Sequence, residues 1–246
     1  MTVVSVDINA DLGEGAGQDY AIMPLISSCN IACGGHVGDE KSINDTMSLA
    51  TRNNVKTGAH PSYPDKENFG RLNMDISQID LKESLINQLS FFYRIAEKNN
   101  QSVNHIKAHG ALYNTIAKDE KTARTYLSAI SQLGIKVKLY VPHNSVIHNL
   151  AKAEYDCLVE AFIDRTYNDD LSLVGRSQPN ALHKTPERAW NQLYEMVVQK
   201  EVKTVSGSKV KIQADTYCIH GDHPNAKQIL KYIHQNFPKH NLSLKK

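Results

Sequence analysis

Residues able to carry chemistry recur along this chain at the same point of a repeated pattern, close to the end of a short apolar run or just beyond it. In order they are Asn9, Asp11 and Glu14; Asn30 and His36; His60; Lys107 and His109; His143; Asp164 and Arg165; His220 and Asp222. Carboxylates and imidazoles can take or give protons, while lysine, arginine and protonated histidine can stabilise an oxyanion or a phosphate. A single histidine of this kind reads most simply as a hydrogen-bonded loop residue. His36, His60, His109 and His220 together, each tied to its own apolar run, argue instead for one shared site.

Each group also has a plainer reading. In VDINADLGEG, residues Asp7, Asn9 and Asp11 share one strand face, where two carboxylates and an amide are costly unless they bind a ligand, a metal or one another. Asp11 alone reads equally well as the cap of a turn through Gly13 and Gly15. In IKAHGALYN, Lys107 and His109 share a face, and a lysine aimed into a barrel mouth pairs with a carboxylate such as Asp11 or has its pKa lowered. His60 opens GAHPSYPD, a turn-rich loop long enough to act as a lid, which ends at Phe69-Gly70-Arg71. The donor fork of Arg71 suits a carboxylate, and a solvated loop arginine is an equal reading. Asp164 and Arg165 read by type as an internal ion pair; their place at a strand end is what recommends them.

CNIACGGHVGDE, Cys29 to Glu40, has the look of a zinc motif. In an extended strand Cys29 and Cys33 lie roughly 13 Å apart at about 3.3 Å per residue. Two thiolates on one zinc, each about 2.3 Å from it, must lie within roughly 4 Å of each other. A Cys-Cys-His zinc site is therefore not expected. Gly34-Gly35 before a helix starting near Asp39 can offer backbone N–H groups to an anion, and no Gly-x-x-x-x-Gly-Lys-[Ser/Thr] phosphate loop is present.

The apolar, β-branched runs Val3–Ala10, Ser28–Ala32, Val55–Ala59, Val103–Ala108, Val137–Val141, Cys157–Ile163 and Ala214–Ile219 predict about seven short strands. Between them, helical spacing and start signals predict helices over Asp39–Asn53, Ser77–Asn99, Asp119–Leu133, Asn144–Ala153, Thr185–Gln199 and Pro224–Gln235. Val202–Ile212, with Ser-Gly-Ser at its centre, predicts an inserted hairpin. Alternating strands and helices imply parallel strands with right-handed crossovers, in a (β/α) barrel or a doubly wound sheet. In both, the C-terminal rim of the strands is where ligands bind, and that is where the polar residues fall.

The 246 residues fit one domain spanning 1–246. A net charge of +2, with scattered lysines and arginines, is too slight to point to a polyanionic partner, so no nucleic acid is expected. MTVVSVDINADLGEG reads as a strand and not a signal peptide, and no apolar run is long enough to span a bilayer. Four irregularly spaced cysteines fit a reducing compartment, and a cytoplasmic location is expected.

The segments VDINADLGEG, IACGGHVGD, GAHPSYPD with FGR, KAHGALYN, EAFIDRTY and CIHGDHP resemble, in order and spacing, the motifs of the LamB/YcsF family over essentially the whole chain. The chain departs from the usual family pattern at Gly35, Leu72, Ala108, Thr166 and His223. The resemblance implies a seven-stranded (β/α) barrel like those of the glycoside hydrolases and polysaccharide deacetylases. It implies a 5-oxoprolinase activity, in which the lactam of 5-oxo-L-proline is opened to L-glutamate with ATP hydrolysed to ADP and phosphate. Two further subunits, B and C, would be partners, with ATP as co-substrate and a divalent metal either as Mg–ATP or bound in the barrel.

On that reading Asp11 or His36 lies near the attacking water, Lys107 and His109 near the oxygen or phosphate, and Arg165 or Arg71 on the substrate carboxylate. Asn9, Glu14, Asn30, His60, Asp164, His220 and Asp222 complete the substrate and phosphate site. Two rivals remain open. One is a metal-dependent deacetylase or amidase with Asp11, His36 and His60 as ligands, resembling the carboxylate and two histidines of the related barrels. The other is a non-catalytic chain that only binds substrate.

Overall fold

The computed structural model describes residues 2–246. In chain order the strands are β1 (Val4–Val6), β2 (Ile8–Leu12), β3 (Ser28–Ala32), β4 (Lys56–His60), β5 (Val103–Lys107), β6 (Lys138–Pro142), β7 (Cys157–Phe162), β8 (Glu201–Lys203), β9 (Lys209–Lys211), β10 (Thr216–His220) and β11 (Leu242–Leu244). The helices are α1 (Asp19–Ile22), α2 (Glu40–Arg52), α3 (Gln78–Lys98), α4 (Gly110–Ile116), α5 (Glu120–Gln132), α6 (Val146–Ala151), α7 (Pro186–Tyr194) and α8 (Ala226–Asn236). Strands β10, β2, β3, β4, β5, β6 and β7 close, in that order, into a seven-stranded parallel barrel. The barrel alternative is therefore the one the chain adopts, and the doubly wound sheet is not.

Local chemistry sets the helix starts. Asp39 accepts from the Ser42 N–H while the Ser42 hydroxyl accepts from the Asp39 N–H, a capping box that starts α2. Ser77, Asp119, Ser145 and Thr185 cap α3, α5, α6 and α7 through their side chains. Each long helix lays one apolar stripe on the barrel, as with Leu81, Leu85, Leu89 and Phe92 of α3, all buried. The last predicted turn of α7 widens into a π-helical segment, Glu195–Gln199, which ends at Lys200 with φ 58°.

Two features differ from the sequence expectation, the split of the first run and the added helix α4. The first apolar run is two strands: β1 pairs with the C-terminal β11, β2 enters the barrel, and Asp7 stands at the break between them. Asp7 is buried and accepts a hydrogen bond from the Thr216 hydroxyl at 2.8 Å, so its carboxylate anchors the barrel floor and does not face a ligand. Helix α4 follows His109 directly, through a Gly110 at φ +54° whose Cβ, if it had one, would sit 2.5 Å from the Gly70 carbonyl oxygen. The β8–β9 pair is an antiparallel hairpin, and the Val205 N–H donates to the Tyr167 carbonyl, tying it to the loop after β7.

Candidate functional site

The barrel interior carries a polar ladder that rises from its floor. The Asn9 amide donates to the Thr216 hydroxyl at 2.9 Å, and the Asn30 amide donates to Asn9 Oδ1 and to Asp11 Oδ1, each at 2.8 Å. His105 Nε2 lies 2.6 Å from Asn30 Oδ1 and its ring stacks on Tyr140. Burial pulls the pKa of His105 well below the ordinary histidine value, so a neutral ring donates to the amide oxygen. Asn9 and Asn30, which the sequence reading assigns to substrate, are fully buried beneath the cavity and hold Asp11 in place instead.

Lys107 ends β5 at the centre of the site. Its Nζ lies 2.9 Å from Asp11 Oδ1 and 2.9 Å from Glu160 Oε1, and the Glu160 contact is an ion pair without aligned hydrogen-bond geometry. Burial works against the ammonium, but Asp11 and Glu160 override it and push its pKa well above the ordinary lysine value. Burial also works against ionisation of Asp11, and Lys107 overrides it, holding that carboxyl well below the usual range. The sequence reading missed Glu160, which lies inside the apolar run of β7 and meets Lys107 only because the barrel closes.

A second group lies beside this pair. Glu14 Oε1 is 3.0 Å from His36 Nε2 and 3.2 Å from His109 Nδ1, and His109 Nδ1 is 3.0 Å from His60 Nε2. The His36 and His109 rings stack at 3.7 Å with 4° between their planes. Burial lowers the pKa of His36 and pulls that of His109 down to about 4. Of the set Asp11, His36 and His60, the structure groups Asp11 and His60 with His109 and turns His36 onto Glu14. Phe69 and Gly70, both at positive φ, fold the β4–α3 loop onto this group: the Phe69 carbonyl is 3.0 Å from His109 Nε2 and the Gly70 carbonyl accepts from the Ala111 N–H.

Above both groups opens a cavity of about 350 Å³ bordered by Asp11, His60, Lys107, His109, Arg165 and His220. Arg71 and Arg176 also reach it and share one carboxylate, Asp222, which binds Arg71 directly and lies 3.2 Å from Arg176 Nη1. Arg71 is therefore not a freely solvated loop residue, and Arg176 is a rim cation that the sequence reading missed. Arg165 donates to the carbonyls of Ala181 and Val174, bracing its own loop while it borders the cavity. Burial lowers its pKa to about 10, so it stays charged at neutral pH.

Asp164 does not pair with Arg165 through its carboxylate. Its oxygens take the His220 backbone N–H at 3.2 Å and His220 Nδ1 at 3.0 Å. Burial opposes ionisation of Asp164, and the His220 interaction overrides it and holds the carboxyl below its ordinary range. Gly221 follows His220 where β10 meets β2, and a Cβ there would press on the Asp11 carbonyl oxygen and lie 2.9 Å from Leu12 Cδ2. Gly221→Ala is expected to cost about 3 kcal/mol or more, read as a lowered urea midpoint.

Cys29 and Cys33 are buried free thiols, and Cys33 accepts from the His60 N–H at 3.0 Å. Asp11 does not cap its turn; the Gly13 N–H is taken by Asp19 Oδ2 at 2.8 Å. His143 bonds the Gln213 carbonyl and stays outside the central group. No helix among the described residues is long and apolar enough to cross a membrane.

The LamB/YcsF family model matches residues 6–246. The chain is 38% identical over 240 residues to the A-type subunit of 5-oxoprolinase from Haemophilus influenzae strain PittEE, covering 97% of this chain and 98% of that protein. It is 40% identical over 231 residues to the same subunit from Neisseria meningitidis serogroup A, covering 94% of each. The crystal structure of a lactam utilization protein from Thermus thermophilus superposes with a TM-score of 0.90 at 33% identity, over 98% of this chain and 99% of that one. A family 4 carbohydrate esterase from Streptomyces lividans, at 9% identity and a TM-score of 0.51, shares the fold alone. This chain belongs to the LamB/YcsF family.

Proposed function

We propose that this chain is the barrel subunit of an ATP-dependent 5-oxoprolinase, a hydrolase that opens the lactam of 5-oxo-L-proline to L-glutamate while ATP becomes ADP and phosphate. The observation that carries the reading is the near full-length relation to proteins named as the A-type subunit of 5-oxoprolinase. The cavity agrees with it, offering a lysine and a histidine–aspartate pair at its base and arginines at its rim.

A five-membered lactam is resonance-stabilised, so its opening needs activation. Transfer of the γ-phosphoryl group of ATP to the amide oxygen releases ADP and makes the ring carbon electrophilic; water adds there, the ring C–N bond breaks as the nitrogen takes a proton, and a second water cleaves the resulting acyl phosphate to glutamate and phosphate. Lys107 supplies a fixed positive charge for the amide oxygen and the phosphate it gains. Asp164 orients His220, which makes His220 the better base for the attacking water. Asp11, held ionised by Lys107, is a weak base and serves to place the lysine; His36 lies beneath the cavity, hydrogen-bonded to Glu14. Arg71 and Arg176 take the substrate carboxylate, with Asp222 fixing their spacing. Asp222→Ala is expected to raise the KM for 5-oxoproline about tenfold, a loss of ~1.4 kcal/mol, with a smaller change in kcat.

Two further subunits and ATP complete the enzyme in this reading. Glutamate release from 5-oxoproline with ATP is compared for this chain alone, the two partner subunits alone, and the mixture. Release only from the mixture supports the proposal. ATP-independent deacylation by the lone chain overturns it in favour of a deacetylase.

A further inference from the structure

His60 and His109 meet nitrogen to nitrogen, and their other contacts fix where the hydrogens lie. His60 Nδ1 is 2.8 Å from the Lys107 carbonyl oxygen, and His109 Nε2 is 3.0 Å from the Phe69 carbonyl oxygen. Carbonyl oxygens only accept, so those two nitrogens carry hydrogen. In neutral rings, lone pairs remain on His60 Nε2 and His109 Nδ1, which face each other at 3.0 Å. Glu14 Oε1 lies 3.2 Å from the His109 nitrogen and 3.9 Å from the His60 nitrogen, and Asp11 Oδ1 lies 3.5 Å from the latter.

Four acceptors therefore converge with no hydrogen between them, and all four residues are buried. Charge is short as well. Two buried carboxylates, Asp11 and Glu160, share the single ammonium of Lys107, and a third, Glu14, meets only imidazole nitrogens. Buried lone pairs and buried anions without a partner are both costly, and one divalent cation would answer both.

We propose that Asp11, Glu14, His60 and His109 bind one divalent transition-metal ion at the base of the cavity. Bonds of about 2.0–2.2 Å in a tetrahedral site place ligand atoms roughly 3.3–3.6 Å apart. The two histidine nitrogens lie 3.0 Å apart, Glu14 Oε1 lies 3.2 and 3.9 Å from them, and Asp11 Oδ1 lies 3.5 Å from His60 Nε2, so each carboxylate is within reach of a cation held between the two rings. Mixed imidazole and carboxylate donors favour zinc, cobalt(II), iron(II) or manganese(II) over magnesium, which prefers an all-oxygen shell. His36 is not a ligand: it hydrogen-bonds Glu14 and stacks on His109, which makes it a positioning residue. The carbonyls of Lys107 and Phe69 fix the ring tautomers that ligation needs.

Metal analysis tests this without ATP, 5-oxoproline or partner subunits, so its outcome is separate from that of the activity assay. Untagged protein is stripped with a chelator, dialysed against Zn²⁺ or Co²⁺, and assayed for bound metal, visible cobalt absorption and thermal midpoint. The expected result is one equivalent bound, the d–d bands of low-coordinate cobalt, and a raised midpoint. Glu14→Gln and His109→Asn are expected to weaken binding about 100-fold or more, and His36→Gln about tenfold. Binding far below one equivalent would show that a proton fills the cluster and overturn the proposal. Unchanged affinity in a His60→Asn/His109→Asn double variant would overturn it too. Should the variants misfold, the stoichiometry and cobalt spectrum of the unsubstituted protein decide the matter.

Discussion

Lys107→Ala is expected to reduce glutamate release by the reconstituted complex about 10²–10³-fold in kcat, the range seen when a fixed charge-stabilising donor is removed. It is also expected to destabilise the chain by about 3–5 kcal/mol, because Asp11 and Glu160 lose the buried cation between them. The two effects separate in a double variant. Lys107→Ala combined with Glu160→Gln removes one stranded charge with the ammonium, and should regain part of the stability while regaining none of the activity. Denaturant midpoints and single-turnover rates on the folded fraction supply the two readouts. A double variant as inactive as the single one but more stable is the predicted pattern.

Asp164→Asn is expected to lower kcat about 100-fold or more with little change in KM. The carboxylate accepts both the His220 backbone N–H and Nδ1–H; an amide can present its own N–H₂ to Nδ1 and select the other tautomer. A change in pH dependence should accompany the loss. The pKa of Asp164 is held below its ordinary value in the fold, so its contribution to stability is complete well above the unfolded carboxyl value of about 3.9 and fades as pH falls through and below it. The variant should therefore lose stability at neutral pH and show a flatter acid limb, measured by thermal melts between pH 7 and about pH 3.

What the sequence makes legible follows from how local each signal is. The barrel strands and their helices rest on β-branched runs and side-chain caps such as Asp39 and Ser77, which are written within a few residues of where they act. His60, Lys107, His109 and His220 were legible as rim residues because each closes or follows a strand. Glu160 was not, since an acidic residue within an apolar run gains meaning only when β7 closes the barrel near β5. Arg176 sits in a loop whose path is set by contacts from Arg165. Asn9 and Asn30 have the right types for binding, but both are fully buried and their amides are spent on Thr216, on each other and on Asp11. Ring orientation, which turns His36 to Glu14 and His109 to His60, is a tertiary property with no signature in spacing.

If the cavity above Lys107 is the lactam site, a crystal structure of this chain with 5-oxoproline shows it most directly. The predicted result is the ring within the cavity, its oxygen within about 3.2 Å of Lys107 Nζ and its carboxylate on Arg71 and Arg176. Ordered substrate at a different surface, or in the cavity with its carboxylate against Lys107 and its lactam oxygen toward the arginines, would contradict it.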